Sequence, residues 1–556
     1  MPTSHHPPHA IFGTAIGAHR HRGGVGARLK ARVCALPLKS LVTGTIDLGA
    51  VARLAAPRHR PGVSEAAAIL AGVHPAWAAL FGKRTRRRIP SGMTADQLES
   101  AITMGLIREV ATPPTAYARL YAVPKSDGRT SRPIYDARFQ NGWVNWSVVG
   151  TKLRLLRPLS HVRVGLAVGC RDPLLVEVDA KSYFPSFRWD DRLARHHGVY
   201  AGGRHFVHRV PAQGCSLMPL VAQTVSAALA DGPTLSAPDV AWVRSGTSIV
   251  YDNWLLSGER QSVRRRFERL CARLAAVGVV IGDIKGPATS LESCGFRFDV
   301  GGARRWTLKP DWCERALPLL TARPRGLLDR QRQAGVALWA IRALLLPVAM
   351  VHHLIRCLER DDGIVAVREA ELRAVAELVR DPPWRALKDP SATGDRAALN
   401  GACVVYSDAS VYGVGAVEIG RGYMSHLWTE TLDGTEQQHL EAVAALMALR
   451  WSRPSAHTLL VVDNTGVAGW LLSGNPTSPR SVAVLLDIAA LLEERRTTLW
   501  VSVVPTTEML ADGPSRGGSA RVPPSCDRAV LQTALECEWS AATYAVGRLS
   551  RDCFPL

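Results

Sequence analysis

Apolar and polar positions alternate along the chain in a pattern that changes three times. Between about residues 91 and 300, short apolar runs alternate with helical stretches, the order of an α+β domain. Two of these runs carry acid. Leu174-Leu175-Val176-Glu177-Val178-Asp179 delivers a carboxylate at its end, and Ser248-Ile249-Val250-Tyr251-Asp252-Asn253-Trp254-Leu255-Leu256 holds a polar Asp-Asn pair where a β-hairpin would turn. Residues 301 to 395 read mainly helical, through Leu327 to Leu358 and Glu369 to Leu378. After Arg396 the pattern predicts a strand at Ala402 to Tyr406, a helix at Glu436 to Arg450, a strand at Thr458 to Val462, a helix at Ser481 to Arg495 and a strand at Thr498 to Val504. That order suits a second, compact α/β domain over residues 396 to 525. Residues 1 to 90 sustain neither period and are expected to form a basic, partly disordered arm, and residues 526 to 556 a tail.

Charge narrows the class of partner. The 556 residues include 68 Lys or Arg against 48 Asp or Glu, a net charge of +20, and the pI is near 9.9. A polyanion is the natural partner, because neutralising phosphates releases condensed counterions. More than half of the excess lies in the first 90 residues, where only Asp47 and Glu65 are acidic. The run Lys83-Arg84-Thr85-Arg86-Arg87-Arg88 reads equally as a nucleic-acid contact, a nuclear-import signal or solvated surface. The 11 cysteines are scattered without a C-x-x-C pair, and MPTSHHPPHA is not a secretory leader, so free thiols in the cytoplasm and/or nucleus are expected. The apolar stretch Val336 to Val351 is broken by Arg342 and Pro347 and is shorter than the ~18 residues of a membrane span. No membrane partner is expected.

The two acidic runs could serve one chemistry. Phosphoryl transfer to a nucleotide uses two divalent cations ~3.5–4 Å apart, and hard cations require carboxylate oxygens. Asp179 and Asp252 on two strands of one sheet would meet that need, although an Asp at a strand end is by itself ordinarily a turn residue.

The surrounding segments resemble the reverse transcriptase family, motif after motif in the family's order. Val123-Pro124-Lys125-Ser126-Asp127-Gly128-Arg129-Thr130-Ser131-Arg132-Pro133-Ile134-Tyr135-Asp136, followed by Asn141, resembles the fingers hairpin "VPKxDGxxRPxxD". The resemblance implies that Lys125 and Arg132 grip the incoming triphosphate. Asp179-Ala180-Lys181-Ser182-Tyr183-Phe184 is similar to the first palm motif, with a metal-binding Asp and, at Phe184, the ring that favours deoxynucleotides. Gln213-Gly214, with Pro219 beyond, is similar to the template-and-nucleotide loop, where Gly214 would let backbone approach the substrate. Val250-Tyr251-Asp252-Asn253 occupies the place of the "YxDD" hairpin, 73 residues after Asp179. Lys285 then resembles the proton donor to departing pyrophosphate, and Gly295-Phe296 the primer-gripping hairpin. Two residues depart from the pattern: Val250 replaces the usual first residue, and Asn253 replaces the second Asp. An amide oxygen can coordinate but brings no charge.

A second set of motifs resembles ribonuclease H. Val404-Val405-Tyr406-Ser407-Asp408-Ala409-Ser410, then Gly413-Val414-Gly415, resembles its first strand and turn, with small residues allowing a tightly packed hairpin. Asp408, Glu441, Asp463 and Asp512 follow in the family's order, and Val504-Pro505 through Ala511-Asp512-Gly513-Pro514-Ser515-Arg516 resembles the closing "vPSxxNxADxxSR". Alone, Glu441 would read as a solvated helix position. Met509 stands where Asn is usual, which is expected to slacken the turn, and no His lies between Asp463 and Asp512, so slower product release is expected.

The resemblance covers roughly residues 105 to 520. It implies an α+β right-hand polymerase, with fingers and palm over 91 to 300 and thumb and connection helices over 301 to 395, followed by an α/β ribonuclease H-like domain. Catalysis is expected at Asp179, Asp252, Asn253, Lys285, Asp408, Glu441, Asp463 and Asp512, and substrate binding at Lys125, Arg132, Phe184, Gln213 and Gly214. Implied cofactors are two Mg²⁺ (or Mn²⁺) per active site. Implied partners are an RNA template, a DNA primer, an RNA–DNA hybrid and deoxynucleoside triphosphates. No protease, integrase or tyrosine recombinase motif is seen, so DIRS or kinetoplastid VIPER elements are the expected relatives. The rival expectations are a catalytically degenerate nucleic-acid-binding protein and an enzyme in which only the ribonuclease H works.

Overall fold

The computed structural model describes residues 34–39, 44–83, 88, 90–125, 129–151, 170–211, 214–234, 245–302, 304–356, 358, 365–387, 401–430, 436–520, 522 and 541–542. Most of the basic run, Arg84 to Arg87, lies outside the described residues, as do Gln213 and nearly all of the expected tail.

Strands β1 (Ile107–Glu109), β2 (Leu120–Pro124), β3 (Ser131–Tyr135), β4 (Pro173–Ala180), β5 (Gly198–Ala201), β6 (Arg204–His208), β7 (Thr247–Val250), β8 (Asn253–Glu259) and β9 (Ile281–Ala288) build three antiparallel units: β1-β6-β5, the hairpin β2-β3, and β7-β8-β4-β9. The last of these positions the first candidate site, and alternation along β4 explains why. Leu174, Val176, Val178 and Ala180 join an apolar cluster with Ile249, Trp254 and Leu256, closed by helices α3 (Met218–Ala230) and α4 (Arg260–Ala276). On the opposite face Leu175 joins a different cluster with Leu255, Phe296 and Trp306. Further along that second face come Glu177 and Asp179. One face of one strand thus runs from apolar to acidic.

Part of the expected N-terminal arm is instead built into the fold. Helices α1 (Leu48–Leu54) and α2 (Arg60–Leu70) set Val51, Val63, Ile69 and Leu70 into the same cluster as Val176 and Val178. Burial of each such side chain contributes roughly 1.5–3 kcal/mol. Pro57–Phe81 is apolar and long enough to cross a membrane by composition. It is a series of short helices broken at Gly72, whose φ is +68°, and its Trp77 and Leu80 are buried in that cluster. Upstream, residues 34–39 strap the β2-β3 hairpin: Ser131 N–H donates to the Pro37 carbonyl (2.8 Å) and Lys39 N–H to the Ser131 carbonyl (3.0 Å). Gln97 Nε2 donates to the carbonyls of Cys34 and Leu36, both at 2.6 Å.

The expected helical stretch holds α5 (Pro310–Thr321), α6 (Leu327–Ala343) and α7 (Val365–Arg380). It also holds strands. β10 (Ser290–Ser293), β11 (Phe296–Asp299), β12 (Arg305–Leu308) and β13 (Arg385–Ala386) form one sheet that crosses the expected boundary at residue 300.

The C-terminal region follows the predicted order. β14 (Cys403–Ala409), β15 (Gly413–Glu418), β16 (Gly422–Leu427), β17 (His457–Val462), β18 (Thr498–Val503) and β19 (Ala541–Ala542) form a sheet ordered β16-β15-β14-β17-β18-β19, with β14, β17 and β18 parallel. Helix α8 (Gln437–Trp451) sets Ala445, Leu446, Ala448 and Leu449 against Val405, Leu460 and Val462. All seven residues of β14 are buried, so Asp408 must find its partners within the protein.

Candidate functional site

Register assembles the first carboxylate centre. Asp179 lies directly opposite Asn253 of β8 and opposite Asp283 of β9. Directly opposed residues of an antiparallel pair point to the same face. One row therefore reads Asn253, Asp179, Asp283, and the row before it Leu255, Glu177, Lys285. Ala180 N–H donates to the Asp252 carbonyl at 2.8 Å, which brings the turn alongside Asp179.

The turn itself is strained and held from beneath. Val250 pairs with Asn253 across the two residues Tyr251 and Asp252, and Tyr251 sits at φ +54°, a region that costs a side-chain-bearing residue ~1–2 kcal/mol. Helix α3 fixes it. Tyr251 N–H donates to Gln223 Oε1 (2.8 Å), Gln223 Nε2 donates to the Ile249 carbonyl (3.0 Å), and Ser226 Oγ donates to the Tyr251 carbonyl. Trp254 Nε1 donates to the Ser226 carbonyl at 3.1 Å. Gln223 and Ser226 were not among the expected residues. Their sequence signal is a polar cluster, Gln223, Thr224 and Ser226, in an otherwise apolar helix.

Burial, then Asp252 and Glu177, push the Asp179 carboxyl up to about 6, with Lys285 opposing and Asp283 adding to the rise. Burial also raises Asp252, and Arg132 opposes it. Asn253 Oδ1 is buried without a hydrogen-bond partner among the described residues. These oxygens suit a hard cation, which would relieve their mutual repulsion.

Of the other expected residues, Phe184, Arg132 and Lys285 are tied to this centre. The Phe184 ring lies 5.8 Å from that of Tyr251. Arg132 is exposed on β3 opposite Val123, and Lys125 follows β2, its N–H donating to the Thr130 carbonyl at 2.8 Å. Lys285 Nζ lies 2.5 Å from Glu177 Oε1; Glu177 and Asp283 are further residues that the sequence reading did not single out. Gly214 has a φ of +129°, and a Cβ there would collide with the Tyr135 carbonyl, so it also permits a close approach to β3. Asn141 secures that contact, donating from Nδ2 to the Gly214 carbonyl (2.8 Å) and accepting from Ser216 N–H at Oδ1 (2.9 Å).

The second centre is tighter. Asp408, Glu441 and Asp463 each place a carboxylate oxygen within 4.8 Å of the others. Parallel pairing of Tyr406 with Val461 carries Asp408 and Asp463 to matching positions two residues on, and Glu441 comes from the first turns of α8. Glu441 Oε2 accepts from Ala409 N–H (3.1 Å), and Gln437 Nε2 donates both to Glu441 Oε1 (2.8 Å) and to the Ala409 carbonyl (2.6 Å). Ser515 Oγ donates to Asp408 Oδ2 at 2.6 Å, and Thr506 Oγ1 to Asp463 Oδ2 at 2.9 Å. Asp512 stands outside the trio. It opens the short helix Asp512–Ser515 and pairs with Arg516 at 2.8 Å. That helix packs on Gly415, where a Cβ would collide with the Ala511 carbonyl.

Burial raises Asp408 to about 6, Ser515 opposing and Asp463 and Asp512 adding. Burial and then Asp408 raise Glu441 to about 8. Three crowded carboxylates, two of them, Asp408 and Glu441, held above their ordinary range, fit a cation-binding set. Met509 corrects an expectation. Rather than slackening the turn, it is buried with Tyr406, Trp500 and Val504, and the turn keeps its hydrogen bonds, Met509 N–H to the Thr506 carbonyl at 3.1 Å and Asp512 N–H to the Met509 carbonyl at 3.3 Å.

No family model matches the chain, and no curated protein matches it. Among solved structures it is similar to a foamy viral protease-reverse transcriptase dRH in complex with double-stranded DNA, with a TM-score of 0.47 and 14% identity over 84% of this chain and 83% of the other. It is similar also to the foamy viral protease-reverse transcriptase in complex with an RNA/DNA hybrid, with a TM-score of 0.46 and 14% identity over 88% of this chain and 66% of the other. The same viral protein in complex with double-stranded DNA gives a TM-score of 0.44 and 16% identity over 75% and 85%.

Proposed function

We propose that the chain is an RNA-directed DNA polymerase with ribonuclease H activity, the copying enzyme of a DIRS-like or VIPER-like retroelement. The reading rests on one observation, two separate carboxylate centres in one chain: Asp179 in register beside the Asp252-Asn253 turn, and Asp408, Glu441 and Asp463 with oxygens within 4.8 Å. Asp179 and Asp252 would hold one pair of Mg²⁺ or Mn²⁺, and Asp408, Glu441, Asp463 and Asp512 another, supplying Lewis acidity to the attacking oxygen and charge to the leaving one. The chain's own residues do the rest.

In the polymerase, Lys125 and Arg132 bind the triphosphate of the incoming deoxynucleotide, and the Phe184 ring excludes a ribose 2′-hydroxyl. Lys285 yields a proton to departing pyrophosphate. The RNA template and DNA primer lie across the acidic face, with basic residues of 301–395 on the phosphates of the duplex. In the nuclease, Gln437 orients Glu441 and Ser515 orients Asp408 against the RNA strand of the hybrid. Residues 91–300 make fingers and palm, 301–395 thumb and connection, and 396–525 the nuclease. The enzyme works in the cytoplasm and/or nucleus.

A second reading, in which only the nuclease works, is favoured by Asn253, an uncharged amide in register with Asp179. Primer extension on poly(rA) with Mg²⁺ or Mn²⁺, run beside cleavage of the RNA strand of a hybrid, tests both. Asp179→Asn is expected to abolish extension and spare cleavage, and Asp408→Asn the reverse. Extension by the Asp179→Asn protein at the wild-type rate would overturn the proposal, and cleavage without extension by the wild type would select the second reading.

A further inference from the structure

We infer that Glu177 is a positioning residue, the group that fixes the Lys285 ammonium beside the Asp179 centre; the inference rests on the polymerase reading above. The second face of β4 needs no charge at this position. Its neighbours Leu175 and Leu255 are buried in an apolar cluster, and an apolar side chain at 177 would extend that cluster at no electrostatic cost. Instead a carboxylate lies there with its side chain only 2% exposed. A buried carboxylate is costly unless an opposite charge compensates it. Lys285, directly across on β9, supplies that charge with Nζ 2.5 Å from Glu177 Oε1, while Glu177 Oε2 has no partner among the described residues.

What the arrangement gains is the location of Lys285. A lysine has a flexible four-carbon stem and a strongly hydrated head, and this side chain is 46% exposed, so an untethered ammonium would swing into solvent. Anchored on Glu177, it stays one register step from the row Asn253, Asp179, Asp283. Glu177 touches no reacting atom. It acts through Lys285.

The test uses the full-length protein and the variants Glu177→Gln, which keeps size and removes charge, Glu177→Asp, which shortens the tether, and Lys285→Met. The first readout needs no enzymatic activity. In competitive lysine acetylation followed by mass spectrometry, Lys285 of the wild type is expected to react slowly. Glu177→Gln is expected to raise its rate several-fold, because the amine loses the carboxylate that Nζ contacts. The second readout is single-nucleotide incorporation. Glu177→Gln and Lys285→Met are each expected to lower kcat by ~10–100-fold, the scale of a misplaced general acid, with KM for the nucleotide unchanged within about two-fold. Glu177→Asp is expected to recover part of the loss, and the double variant to be no worse than either single one. Cleavage of an RNA–DNA hybrid serves as the folding control; should Glu177→Gln fail it, Glu177→Asp carries both readouts.

Unchanged Lys285 acetylation in the Glu177 variants overturns the inference, and so does a loss that falls on KM alone. Faster Lys285 acetylation in a protein whose wild type extends no primer upholds the anchoring of Lys285 and defeats the polymerase reading instead.

Discussion

Mild acid should strip stability from this protein through two histidines, and replacing one of them should return half of it. His197 and His208 are buried, 0% and 2% exposed, among aromatic rings. His197 lies 4.3 Å from the Trp189 ring and His208 4.5 Å from that of Tyr135. Neither ring nitrogen of His208 has a hydrogen-bond partner among the described residues. Burial pushes His197 down to about 4 and His208 down to about 3. Above pH ~6.5 both are neutral in folded and unfolded chains, and stability does not change on their account. As pH falls below that value the unfolded chain takes up protons that the folded one refuses. The loss grows by ~1.4 kcal/mol per unit of pH for each histidine, reaching about 2 kcal/mol each at pH ~5, and stops growing once the folded values are passed. Two such losses, ~4 kcal/mol, are a large share of a typical 5–15 kcal/mol. Asp179, Asp408 and Glu441, raised in the folded state, run the other way, so the decisive quantity is the difference between variant and wild type. His208→Leu removes one titration and two unpaired nitrogens. Urea denaturation followed by tryptophan fluorescence at pH 7.5 and 5.0 should show the variant gaining about 2 kcal/mol on the wild type between the two conditions. Equal losses in both proteins would refute the reasoning.

Three further outcomes follow from the two centres. Because Glu441 and Asp408 hold protons up to about 8 and about 6, cation binding there must displace them. Mn²⁺ affinity, measured calorimetrically, is expected to rise at least ~10-fold from pH 6 to pH 8, and a flat profile would contradict the assigned burial. Asn253→Asp adds charge next to Asp179 and is expected to lower the Mg²⁺ concentration for half-maximal extension; an unchanged requirement would place that side chain away from the ions. Gln223→Leu strands the Tyr251 N–H at a cost of ~1–3 kcal/mol, which thermal melting should register together with slower extension, while hybrid cleavage stays intact.

Both centres were legible where chemistry coincided with a local pattern. Asp179 lies near the end of an apolar strand, Asp252 sits at the polar break between two apolar runs, and Asp408 and Asp463 end or follow buried apolar strands. What escaped was non-local. β9 is mostly exposed along its length, so its sequence gives no strand signal, and Asp283 could not be seen to lie across from Asp179. Helices α1 and α2 are short, interrupted by Pro57, Pro61 and Gly72, and find their apolar partners more than a hundred residues away, so the segment passed for an arm. The contact of Gly214 with Tyr135 spans 79 residues and left no local signal. Met509 was judged by the polar residue it replaces, and burial decided otherwise.

The strap at residues 34–39 sets a limit on amino-terminal proteolysis. Its backbone meets Ser131 on both sides and takes the Gln97 amide, and Leu38 is buried with Leu120 and Tyr135. A protease cutting ahead of Cys34 would leave these bonds in place. One cutting after Lys39 would separate the strap from the rest of the chain and loosen the hairpin edge on which Arg132 stands.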